Sequence, residues 1–185
     1  MKRRVFLLLT LILFVFAALP ARAEETPQER MLAAAAAGDA EAGHAAEAEQ
    51  TGNAVRYDDL SVLARAIYAV TGQREYEDWL RMAVGEVVLN RLSSPEFPDT
   101  LREIVDADTR YSGVADGYFD ALRPDRSCAE AALRLLSGER VMNDPKVVYQ
   151  NSHIYDGGLC LHIYDYRMGD VYFCYTTHPE LYGEE

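Results

Sequence analysis

The chain predicts an α+β domain in which N-terminal helices are followed by a small antiparallel sheet. Two observations carry that expectation. Leu60, Leu63, Ala64, Ile67 and Tyr68 recur at helical spacing, and further helical patterns follow through residue 136. After Pro145 the character changes: residues 146–151, 159–164 and 170–175 are β-branched and aromatic, bounded by Gly and Asp. Helices first and strands last is the α+β order.

Residues 1–23 read as a secretory signal peptide. Lys2, Arg3 and Arg4 precede an apolar run over residues 5–19, and Ala21-Arg22-Ala23 supplies a small-x-small cleavage pattern. The run is shorter than the roughly 20 residues of a spanning helix, which makes a permanent anchor the runner-up reading. Any membrane contact is expected only through this segment if it stays uncleaved. The mature chain would begin near Glu24, in the cell wall or extracytoplasmic space.

Residues 24–56 carry five consecutive alanines (33–37), scattered Glu and Gly, and no aromatic residue. Low apolar bulk with net negative charge predicts a flexible tether. The compact domain is then expected over residues 57–185, roughly 130 residues, an ordinary size for one domain.

Within it, Asp58-Asp59 starts a first helix that ends near Gly72. A second helix is expected over 76–92. Leu80, Ala83, Val84, Val87 and Val88 make one apolar face and Trp79, Met82 and Leu89 another, so this helix should be buried almost all round. Asp99-Thr100 opens a short third helix, and Ser127 caps a fourth that ends at Gly138. Cys160 and Cys174 flank a turn around Arg167, Met168, Gly169 and Asp170; a hairpin there would set them face to face as a disulfide, leaving Cys128 free.

Charge excludes some partners. The whole chain carries −12; without the four basic residues of the signal segment, 14 basic against 30 acidic residues leave −16. Such a chain is not drawn to nucleic acid. His153, His162 and His178 lack zinc-site spacing, so no metal or other cofactor is expected. A monomer is the simplest state.

Residues 63–72 (Leu-Ala-Arg-Ala-Ile-Tyr-Ala-Val-Thr-Gly), then Tyr76-Glu77 and residues 83–91 (Ala-Val-Gly-Glu-Val-Val-Leu-Asn-Arg), resemble the opening of the SleB-type cell wall hydrolases, the spore-cortex-lytic enzyme family. Companion motifs follow in order: Phe97-Pro98, Tyr111-Ser112 with Val114 and Asp116-Gly117, Tyr149-Gln150-Asn151, and Gly169 through Phe173. The resemblance implies a lysozyme-like domain that cleaves peptidoglycan glycan strands as a lytic transglycosylase. One carboxylic acid protonates the departing glycosidic oxygen and, as carboxylate, then helps the sugar's own hydroxyl close a ring.

In that family a Tyr-x-Glu-x-x-Gly segment carries the acid. Here the position after Tyr68-Ala69 is Val70, whose side chain neither donates nor accepts a proton. Two readings therefore stand side by side: an exported hydrolase with a relocated acid, or a catalytically degenerate glycan-binding or regulatory wall protein. Candidates for a relocated acid are Glu86, which shares a helix face with Trp79 and Met82, and Glu75 and Glu77, just past the vacant position. The bland alternatives are a hydrogen-bonded structural acid for Glu86 and a solvated helix start for the other two. Tyr68, Tyr111, Tyr149 and Tyr155 are candidates to stack on sugar rings, Asn151 to contact an N-acetyl group, and Asp116 to position a loop or touch substrate.

Overall fold

The computed structural model describes residues 25–50, 54–72, 77–108, 111, 117–166 and 169–183. Helices α1 (Pro27–Ala37), α2 (Ala40–Ala48), α3 (Tyr57–Thr71), α4 (Asp78–Leu92), α5 (Leu101–Ala107), α6 (Tyr118–Ala121) and α7 (Arg126–Leu136) precede strands β1 (Val147–Asn151), β2 (Leu159–Asp165) and β3 (Gly169–Tyr175). A 3-10 turn over Pro179–Tyr182 follows. The α+β order read from the sequence is the one observed. The signal segment lies outside the described residues, among which no helix is long and apolar enough to cross a membrane.

The expected tether is instead an ordered helical hairpin. Thr26 and Glu29 form a reciprocal capping box at the start of α1, and Asp39 caps α2. Met31 is fully buried, with Leu32, Ala34, Ala35 and Ala46 beside it, and α1 packs on both α3 and α7. Alanine helices need little bulk when backbones approach closely, which a reading based on side-chain size overlooks. Gly43 makes room for a ring from the next helix: a Cβ there would lie 2.2 Å from the Tyr57 side chain. Arg30 fastens the open end of the hairpin through paired hydrogen bonds to Glu49.

Helix α4 is the centre of the molecule. Every residue from Leu80 to Arg91 is buried, because one side faces α3 and α7 while the other carries the sheet. Leu80, Ala83, Val84 and Val87 meet Val147, Val171 and Phe173 in the sheet-side cluster. Gly85 permits close packing of the neighbouring helices, since a Cβ would stand 2.5 Å from the Leu135 side chain and 2.9 Å from that of Ile67. Asp125, not Ser127, caps α7, accepting from the Cys128 N–H at 2.8 Å.

The sheet has the order β1-β3-β2, all antiparallel. The β2–β3 hairpin forms as expected, but the disulfide does not. Leu159, not Cys160, stands opposite Cys174, and a register shift follows between Leu159 and Leu161. Cys160 packs on the helix side with Ile163 and Tyr175. Cys174 faces the other way, where its sulfur accepts from the Tyr155 N–H at 3.4 Å. The register shift breaks the regular alternation there and turns Cys160 to the face opposite Cys174, and all three cysteines are free thiols.

Candidate functional site

Three elements converge where the family motif falls. The last turn of α3 brings Ala69 and Val70, α4 brings Val87 and Arg91, and the end of β1 brings Gln150, Asn151 and Ser152. With Tyr111 they line a cleft of about 280 Å³. Helix α3 stops at Gly72, whose φ of 66° suits glycine, so the chain turns away just past Val70. Val70 touches both the helical core and the sheet-side cluster, filling the junction between them.

Arg91 is the charged group among the described residues that line this cleft. It is only 2% exposed, and its Nε donates to the Val148 carbonyl at 2.7 Å. A second nitrogen pairs with Asp108 at 2.5 Å, and the guanidinium lies over the rings of Phe97 and Tyr149 at 5.1 and 5.8 Å. Sequence reasoning treated this arginine only as part of a helix-end motif. A charged residue in a helix expected to be buried almost all round is the available signal, because a buried cation requires fixed partners. Gln150, Val87 and Ser152 were likewise not singled out.

Of the proposed substrate contacts, Tyr111 and Asn151 line the cleft together with Val70. Tyr111 is held edge-on against Phe119 at 6.4 Å. Tyr149 stands behind the cleft wall, packed on Tyr155 at 4.2 Å and on Phe97 at 6.1 Å. Burial, with the nearby Glu96 charge second, pushes its phenol above the ordinary range. Tyr68 packs against the helical core and is not among the lining residues. Asp116 and Glu75 lie outside the described residues.

Glu86 is structural. Fully buried, its carboxylate accepts from three successive backbone N–H groups, those of Val141 (2.7 Å), Met142 (3.0 Å) and Asn143 (2.8 Å). Its helix face meets the 141–143 loop and does not line the cleft. Four residues on, Asn90 donates to the carbonyls of Asp144 and Val147, both at 2.9 Å. Glu86, Asn90 and Arg91 thus fasten the 141–148 segment to α4, and that segment leads into β1. Glu77 is exposed at the N-cap of α4, makes no side-chain cap bond and does not line the cleft.

Among the described residues lining the cleft there is no carboxylate, and among all the described residues no group of three or more metal-binding side chains comes together. The cleft offers amides from Asn151 and Gln150, a phenol and a fixed guanidinium around an apolar floor. A larger hollow of about 600 Å³ lies elsewhere, between the starts of α3 and α5. Its charged rim is largely self-paired, Arg56 with Asp58 and Asp59, and Arg102 with Asp106 and Asp120. The smaller cleft is the better candidate because the motif residues meet there.

Residues 77–156 match the Cell Wall Hydrolase family. The spore cortex-lytic enzyme of Halalkalibacterium halodurans is 34% identical over 82 residues, 44% of this chain and 24% of the relative. That of Bacillus subtilis is 32% identical over 80 residues, 43% of this chain and 25% of the relative. The chain therefore spans about a quarter of the length of these relatives. A solved structure, the catalytic domain of the germination-specific lytic transglycosylase SleB from Bacillus anthracis, superimposes with a TM-score of 0.49 at 23% identity, over 67% of this chain and 99% of that one. The resemblance to SleB-type cell wall hydrolases read from the sequence stands. The family match begins at Glu77, beyond Val70.

Proposed function

With residues 77–156 matching the cell wall hydrolases, we propose that this chain binds peptidoglycan glycan strands in the cleft beside Val70 and does not cleave them by the family's single-acid route. One observation carries the reading: a valine lines the cleft at the position where the resemblance puts the acid. Cleavage of this kind begins with a proton delivered to the departing glycosidic oxygen, so the donor must come within hydrogen-bond reach of it. Val70 supplies none, and Glu86 has both oxygens committed to backbone donors elsewhere.

What remains suits recognition. Asn151 and Gln150 present amide groups to N-acetyl and hydroxyl groups, and Tyr111 presents a held ring. Arg91 fixes the wall, because its partners leave it one orientation. Export through the residue 1–23 segment would deliver the chain, as a monomer, to the wall polymer it binds.

Incubation with purified peptidoglycan tests this in two measurements. The wild-type protein should co-sediment with sacculi yet release no muropeptides, and Val70→Glu should raise release, a positioned general acid being worth about 10²- to 10⁴-fold. Muropeptide release by the wild type would overturn the reading in favour of a relocated acid, with Glu75→Gln and Glu77→Gln then locating it. Failure to co-sediment would remove glycan binding altogether.

A further inference from the structure

The sheet has one covered face and one open face. Val147, Val171, Phe173 and Ile163 point to α4. On the opposite face the 152–158 loop closes over one end, where Tyr155 stacks on Tyr149 and its N–H meets Cys174. Along the rest of that face, among the described residues, His162, Tyr164 and Asp170 stand exposed. A single cross-strand row runs over it: Asn151 on β1 is registered with Tyr172 on β3, and Tyr172 with His162 on β2. The next pair along, Asp170 and Tyr164, adds a ring that is 71% exposed.

This row begins at the cleft. Asn151 is both its first member and a lining residue of the Val70 cleft. Beyond it the groups are fixed in place. The His162 and Tyr172 rings stack 4.4 Å apart, with planes 8° from parallel, and the imidazole Nε2 sits 2.8 Å from Asp170 Oδ1. Rings held this way lose little freedom when a ligand arrives. Two strand spacings, about 10 Å, separate Asn151 from His162, close to the length of two pyranose rings.

We propose that this open face is an accessory glycan platform that takes the strand beyond the cleft, with Tyr164 and the Tyr172–His162 pair as ring contacts and Asp170 and His162 as hydroxyl contacts. The occupant is polysaccharide because the face alternates flat rings with fixed polar groups, the pairing that sugar faces and sugar hydroxyls require. The platform rests on the proposed glycan cleft, whose wall it continues. Affinity should therefore rise with chain length: a disaccharide occupies the cleft alone, and a longer strand occupies both.

The test compares two probes, a disaccharide-peptide and peptide-free glycan strands of eight or more sugars, against wild type, Tyr164→Ala and Tyr172→Ala by calorimetry. Tyr164 is exposed enough that its removal leaves the fold intact. Wild type should bind the long strands more tightly, and Tyr164→Ala should lose about tenfold on them while binding the disaccharide unchanged, the scale expected of one aromatic contact. Equal affinity of wild type for both probes refutes the platform and leaves the cleft intact. An unchanged long-strand affinity in both variants refutes it as well. Binding of neither probe by wild type removes the cleft and the platform together. A shift of the sedimentation profile from dimer to monomer on Tyr164→Ala would make the face a contact between copies of the chain and overturn the proposal.

Discussion

Glu86 Oε2 lies 2.7 Å from the amide nitrogen of Val141, joining the middle of the central helix to a loop fifty-five residues later. Two further amides, at Met142 and Asn143, complete the grip. The acid that looked most promising as a displaced catalyst is thus a fastening point for the segment that carries the cleft's third wall.

Glu86→Ala should destabilise the fold by about 2–5 kcal/mol, because three backbone donors lose their acceptor in a buried site. Glu86→Gln should cost less, since one amide oxygen still accepts. Denaturant midpoints check both; midpoints equal to wild type would show that the carboxylate does not hold the loop.

Arg91→Ala should cost about 3–5 kcal/mol, because it removes a buried guanidinium that pairs with Asp108 and donates to the Val148 carbonyl. Asp108→Asn in the same background should recover part of the loss, which a double-mutant cycle would read. Simple additivity of the two would contradict the pairing seen at 2.5 Å.

Met31→Ala tests the N-terminal hairpin. A fully buried methionine reduced to alanine leaves a cavity costing about 2–5 kcal/mol. If residues 27–48 were only a spacer, thermal melting of the variant would match wild type.

Cys128 makes an alkaline signature. Burial, followed by the Asp125 side chain and its charge, pushes the thiol up to about 12 from 9.0. A neutral group favoured by the fold contributes stability that is full below pH 9 and is lost as pH rises toward 12. Cys128→Ala should flatten the fall in stability over that window, and alkylation of native Cys128 at neutral pH should be slow. Rapid alkylation without unfolding would contradict the burial.

The free thiols give a simpler check. With Cys160 and Cys174 on opposite faces, reductant should leave the melting temperature unchanged, and mass measurement after alkylation in denaturant should find three modified cysteines. A reductant-sensitive melt would restore the disulfide.

The sequence by itself determined the α+β order, the all-round burial of the central helix, the hairpin near Gly169 and the resemblance to cell wall hydrolases. These are local or periodic properties: a helix buried on both sides has to be apolar on both sides, and a family motif is a matter of residue identity and order. Tertiary structure decided the rest. Burial of Ala34 and Ala35 depends on which helices pack over them, which composition does not encode. The role of Glu86 was set by amides of residues 141–143, and that of Arg91 by a carbonyl at 148 and a carboxylate at 108, partners that only folding brings within reach. The cysteine pairing failed on a single register shift, because one residue of slip in a strand moves a side chain to the other face.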